Sequence, residues 1–125
     1  MPTQPEILTL ENDLLFSSFI REVGERMGCS VTIADDLETF RGRQESSGAS
    51  LLIIDLGFPG LDIAALVSEA RRRNGVAVIA FGRHTEGKLL QAARQAGCEE
   101  VLPRSSFVEE LPSLVEKYRG RAVER

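Results

Sequence analysis

The chain has 125 residues, enough for one hydrophobic core and little more. With 42% hydrophobic and 27% charged residues, its composition excludes a disordered, collagen-like or fibrous chain. Fifteen Lys and Arg against nineteen Asp and Glu leave a formal charge of −4, so the bulk positive field behind non-specific binding to nucleic acid or anionic lipid is missing. No apolar run nears the roughly 18 residues that span a bilayer. Met1-Pro2-Thr3-Gln4-Pro5-Glu6 also lacks the basic-then-apolar pattern of a leader, and a cytoplasmic chain is expected. Cys29 and Cys98, each beside a glycine and without metal-site spacing, are expected to be reduced structural thiols.

Short apolar runs alternate with longer stretches of helical spacing, the mark of βα units around a parallel sheet. Ile7-Leu8-Thr9-Leu10 reads as the first strand, ending in Glu11-Asn12-Asp13. A helix follows, with Leu15, Phe19, Val23 and Met27 as its inner stripe, Phe16 and Ile20 widening it and Gly28 ending it. Residues 31–34 form a second strand, Asp35-Asp36 cap a weak helix to about Gln44, and residues 45–48 are a loop by composition. Leu51-Leu52-Ile53-Ile54, closed by Asp55, is an unbroken apolar run that suits a central strand buried on both faces.

Beyond the loop Leu56-Gly57-Phe58-Pro59-Gly60, a helix runs from about Asp62 to Arg73 with Leu66, Val67 and Ala70 inward. Arg71-Arg72-Arg73 reads as a solvated basic end that suits the helix dipole. The fourth strand is 76–81. Gly82-Arg83-His84-Thr85 turns into a helix over 86–96 that carries Leu89, Leu90 and Ala93 and stops at Gly97. Residues 100–103 form the fifth strand. The last helix is expected to begin at Ser106, whose spacing to Glu109 forms a capping box, and to end near Tyr118.

Five strands, each followed by a helix, imply right-handed crossovers, helices on both sheet faces and strand order 2-1-3-4-5. Ligands of such sheets bind beyond the carboxyl ends of the strands where the order reverses, here between the first and third strands. Glu11 and Asp55 close those two strands, so two carboxylates are expected in one crevice. Like charges so placed must share a proton or a cation, and oxygen ligands in a partly open site suit magnesium. There is no glycine- or hydroxyl-rich phosphate loop after the first strand and no Ser-His-Asp or Cys-His arrangement. The one histidine, His84, falls in an exposed turn. An enzyme is not expected.

The acidic end of strand one, Asp55 at the end of strand three, Pro59 four residues later, Asp62 three beyond it, and Ala96-Gly97-Cys98-Glu99-Glu100 leading into strand five now stand together. With them the chain resembles, over nearly its whole length, a receiver domain of bacterial two-component response regulators. The resemblance implies a single (βα)5 flavodoxin-like domain over residues 1–125, with a core from about 6 to 119 and short flexible ends. It implies a phosphorelay signalling module in which Asp55 accepts a phosphoryl group from a histidine kinase. Magnesium would be held by Glu11, Asn12, Asp55 and the carbonyl of Gly57. Partners would be a histidine kinase, a downstream effector or both, with a homodimer through the fourth and fifth helices as a further option; neither nucleic acid nor membrane is expected to bind this domain. The end at Glu124-Arg125 leaves a free-standing regulator and a piece of a longer protein both open.

Departures from the family's pattern gather on the chemistry. Asn12 replaces the second acid of the metal pair and removes one charge. Gly82 stands where the family has a Thr or Ser that binds the phosphoryl oxygen. Arg104-Ser105 replaces a lysine and a proline, exchanging a compact ammonium for a planar fork and altering the turn. Val101 stands where an aromatic reports activation. In the family the hydroxyl and the aromatic form a coupled switch, so Gly82 and Val101 together remove the bistable element.

The expectation is therefore an atypical receiver that acts by protein–protein contact, with weak or no dependence on phosphorylation at Asp55 and with magnesium weak or absent. The alternative is a conventional receiver in which Asn12 ligates magnesium and Arg104 grips the phosphoryl group on Asp55. A strand-end Asp55 paired to Arg104 and an acceptor Asp55 stay equally open, as do a solvated and a metal-site Glu11. Asn12 is expected to cap the first helix, Asp62 to start the third, and Pro59 to shape its loop. Arg83 and Arg104 flank the crevice and would neutralise it without metal.

Overall fold

The computed structural model describes residues 5–120. Strands and helices alternate strictly: β1 (Glu6–Leu10), α1 (Leu14–Arg26), β2 (Ser30–Ala34), α2 (Leu37–Ser46), β3 (Leu51–Asp55), α3 (Ile63–Ala70), β4 (Ala77–Gly82), α4 (Gly87–Ala96), β5 (Glu100–Pro103) and α5 (Arg104–Tyr118). The strands pair in parallel in the order β2-β1-β3-β4-β5, as the alternation requires. The expectation of flexible ends falls on residues outside those described. Among the described residues no helix is long and apolar enough to cross a membrane.

Successive side chains of a strand point to opposite faces, so the apolar strands feed two separate cores. Leu8, Leu10, Leu52, Ile54, Val78 and Ala80 meet Phe40 of α2, Leu66 and Val67 of α3, and Leu90 and Ala93 of α4. Ile7, Leu51, Ile53, Ile79, Phe81 and Leu102 meet Phe16 and Ile20 of α1 and Phe107, Leu111 and Val115 of α5. The four apolar residues of β3 are buried on both sides, as expected of a central strand.

Five local expectations need correction, one of them the end of α3, which stops at Ala70 short of the expected Arg73. In α1, Asp13 caps the helix by accepting the Phe16 N–H at 3.0 Å, and Gly24 lets the helix lie close on Val31 and Ile7. With 3.6 residues per turn, Phe16, Ile20 and Gly24 then face the sheet. Phe19, Val23 and Met27 flank them, while Leu15, expected inside, is 83% exposed beside Leu14 at 81%. Helix α2 runs on through Glu45 and Ser46, past the expected loop boundary. Helix α5 starts at Arg104 rather than Ser106: extended Pro103 leads straight into it, which puts Ser106 inside the first turn, and no side chain caps this end. Arg71, though exposed, is more than a solvated end: it donates to the carbonyls of Val76 and Gly97 and pairs with Glu99, while Arg73 donates to the Ser47 carbonyl.

Candidate functional site

Leu10 of β1 lies opposite Ile54 of β3, so Glu11 and Asp55 leave adjacent strands at the same sheet edge. They share a cleft of about 370 Å³. Its acids are Glu11, Asp13, Asp55 and Glu86, its bases Arg83 and Arg104, and Asn12, Gly57 and Gly82 complete the wall. Every residue that the sequence marks for acceptor, phosphoryl or metal roles is thus in one place.

Asp55 is held from two sides. The Gly57 N–H donates to its Oδ1 at 2.8 Å, and Arg104 Nη2 lies 3.9 Å from its Oδ2. Glu11 is fully buried, which removes the solvated alternative. Its main-chain N–H donates to the Ala34 carbonyl at 3.1 Å and its Oε1 accepts the Asp13 N–H at 3.0 Å. Among the described residues nothing hydrogen-bonds its Oε2. Burial, and then the Asp55 carboxyl alongside, push the Glu11 carboxyl up to about 8 against the opposing pull of the Asp13 N–H. At neutral pH the buried Glu11 carboxyl keeps its proton.

The neighbours do not all play their expected parts. Asn12 is exposed and caps nothing, because a helix that begins at Leu14 places Asp13 at the cap. Asp62 caps α3 by accepting the Ala65 N–H at 3.1 Å, and Pro59 sits exposed in its loop. His84 lies in an exposed turn, and among the described residues the exposed Arg83 pairs with no acid. Cys29 and Cys98 are both free thiols.

Gly82 ends β4 at the cleft, where a Cβ would lie 3.4 Å from Leu56 Cβ and 3.6 Å from Leu90 Cδ2; there is room for a small side chain, but none is offered. Val101, opposite Ala80, packs on the α2–α3–α4 core and is not part of the cleft wall.

One functional contact was missed by sequence reasoning. The Arg104 guanidinium lies over the Phe16 ring, 4.4 Å from its centroid, and 6.0 Å from that of Phe81. Phe16 belongs to an aromatic cluster in which Phe81 and Phe107 stack at 4.4 Å and Phe16 stands 4.9 Å from Phe81 and 5.8 Å from Phe107. The signal in the sequence was an aromatic residue one turn beyond Glu11-Asn12-Asp13; the sequence puts it on the apolar face and Arg104 at the crevice, but not in contact.

Magnesium takes near-octahedral oxygen ligation and gains affinity from charged ligands, and Asn12 brings an oxygen to this cleft without a charge. Of the carboxylate oxygens, Asp55 Oδ1 and Glu11 Oε1 accept backbone N–H groups, Asp55 Oδ2 faces Arg104, and Glu11 Oε2 has no hydrogen-bond partner among the described residues. Among the described residues no group of three or more His, Cys, Asp and Glu is placed to hold a metal ion.

No protein-family profile matches the sequence, and no curated protein matches it. Solved structures do. A signal receiver domain of a response regulator from Bermanella marisrubri matches with a TM-score of 0.77 at 19% identity, over 93% of this chain and 98% of that one. The receiver domain of a sensor histidine kinase from Pseudomonas aeruginosa, with a magnesium ion coordinated in its active-site cleft, gives 0.78 at 21% identity over 94% and 99%. An orphan response regulator of H. pylori gives 0.76 at 12% identity over 91% and 95%. The fold is that of response-regulator receiver domains.

Proposed function

We propose that the chain is a receiver module of two-component signalling, a single cytoplasmic domain that works through contacts with other proteins and depends weakly or not at all on phosphorylation at Asp55. The observation that carries this reading is the Arg104 guanidinium, 3.9 Å from Asp55 Oδ2 and resting on the Phe16 ring. A fixed cation answers the charge of Asp55 without an ion drawn from solution. Gly82 supports the same reading, because a phosphoryl group at Asp55 would find no hydroxyl there, and Val101 offers no aromatic to register its arrival. Partners of matching class are a histidine kinase, a downstream effector or a second copy of the chain.

The conventional alternative has Asp55 as acceptor, with Glu11, Asn12, Asp55 and the Gly57 carbonyl around magnesium. One observation favours it: the orphaned Glu11 Oε2. Incubation with magnesium and acetyl phosphate, followed by intact mass, separates the two. The wild-type chain is expected to gain little or no phosphoryl mass, and beryllofluoride to leave its amide spectrum unchanged. Stoichiometric modification that Asp55→Asn abolishes and that changes affinity for a partner would overturn the proposal in favour of the conventional receiver.

A further inference from the structure

We infer that Phe16 is a positioning residue whose ring seats the Arg104 guanidinium against Asp55 and thereby keeps divalent cations out of the cleft; this deepens, and rests on, the reading of Arg104 as the standing partner of Asp55.

At 3.9 Å the Arg104–Asp55 contact is an ion pair without a hydrogen bond, and Arg104 is partly exposed. A pair of that kind does not by itself hold a long side chain in one geometry. The ring supplies what the ion pair lacks. Phe16 is buried on α1 and braced by Phe19 at 6.0 Å, Phe81 at 4.9 Å and Phe107 at 5.8 Å, so its face is a fixed surface. The guanidinium carbon lies 4.4 Å from the ring centroid, well inside the roughly 6 Å reach of a cation–π contact.

The carboxylate is fixed from the other side, because the Gly57 N–H holds Oδ1 and leaves Oδ2 turned to the guanidinium. A metal ion entering between Glu11 and Asp55 would meet a positive group already in place and would have to lift it from both carboxylate and ring. A lysine would stack less well, since its ammonium has no planar face to lay on the ring.

The test is a manganese titration of the full chain, read as paramagnetic broadening of the Gly57 amide signal, for wild type, Phe16→Leu, Phe16→Tyr, Arg104→Gln and the Phe16→Leu/Arg104→Gln pair. Phe16→Leu and Arg104→Gln are each expected to broaden at about tenfold lower manganese than wild type. Phe16→Tyr, which keeps the ring, should match wild type, and the double variant should gain nothing over Arg104→Gln. Where Phe16→Leu does not fold, Arg104→Lys takes its place and is expected to admit the ion part of the way.

A Phe16→Leu chain that titrates like wild type while Arg104→Gln gains affinity overturns the seat and leaves the proposed function standing. A wild-type cleft that binds manganese as tightly as Arg104→Gln overturns the exclusion itself. Phosphorylation of wild-type Asp55 by acetyl phosphate, with the expected titration pattern, removes the functional reading and supports the seat.

Discussion

A carboxyl with no access to solvent and a second carboxyl at its side must ionise at a penalty or keep its proton, and Glu11 keeps its proton up to about pH 8. Its ordinary value is 4.5, so between those limits the native state binds a proton that the unfolded chain releases. Stability from this group is complete below about pH 4.5, falls as pH rises and is gone above about pH 8. At about 1.4 kcal/mol per unit, the loss across that window is on the order of a few kcal/mol. Glu11→Gln removes the titration and can donate to Asp55. It is expected to flatten the decline and to be more stable than wild type at pH 9, as urea denaturation at pH 5, 7 and 9 will show; an unchanged slope would place the titrating group elsewhere. The meeting of Glu11 with Asp55 was legible, since two strand ends at a switch point leave little choice. The depth of Glu11 was not: its burial depends on how Ala34 and Asp13 close over it, and no residue near position 11 announces that.

Among the elements, α1 and α2 each carry an interior glycine, with opposite consequences. In α1 a Cβ on Gly24 would lie 2.5 Å from Val31 Cγ2 and 3.2 Å from Ile7 Cδ1, so the helix sits against β1 and β2 at a distance only glycine allows. In α2 a Cβ on Gly42 would meet nothing within 4 Å. Alanine gains about 0.5–1 kcal/mol over glycine in an open helix interior, but overpacking against a stiff β-branched neighbour costs about 1–3 kcal/mol. Gly42→Ala is therefore expected to raise stability by about 0.5–1 kcal/mol and Gly24→Ala to lower it by about 1–2 kcal/mol, both read from urea midpoints at constant m. Existence and order of all ten elements could be read from apolar periodicity, and β3 from its unbroken run. Helix phase and helix starts could not. Leu15 fits a four-residue repeat as well as Ile20 does, and the close packing of Gly24 on Val31 and Ile7 decides between them; Ser106 with Glu109 is a sound capping pair that Pro103 pre-empts by starting α5 two residues earlier. Phe16 on the apolar face of α1 and Arg104 beside the crevice were both legible, but not their contact, because it depends on how α1 and α5 pack together.

For the molecule as a whole, the cleft occupies the carboxyl edge of the sheet, while the amino edge is closed by a charged staple. Strand β5 pairs with β4 over four registered positions, from Ile79 with Glu100 to Gly82 with Pro103. Glu99 extends that pairing by one step, donating its main-chain N–H to the Val78 carbonyl at 2.9 Å and accepting the Val78 N–H on Oε1 at 2.7 Å. The same Oε1 takes Arg71 at 2.9 Å, and Arg71 goes on to the carbonyls of Val76 at 3.1 Å and Gly97 at 2.7 Å. One acid and one base thus join the end of α3 to the entry of both strands across 28 residues of chain, a link that local composition does not reveal. Glu99→Ala leaves the Val78 N–H without its acceptor, and a stranded donor costs about 1–3 kcal/mol, toward the lower end here because both side chains are partly exposed. Glu99→Gln keeps an acceptor oxygen and should lose less than half as much. Because the staple and the cleft lie at opposite edges of the sheet, the loss should be additive with that of Arg104→Gln. Equilibrium urea unfolding of the two single variants and the double variant measures it: an interaction energy within about 0.5 kcal/mol of zero means that the edges are independent, and a larger one means that the sheet transmits between them.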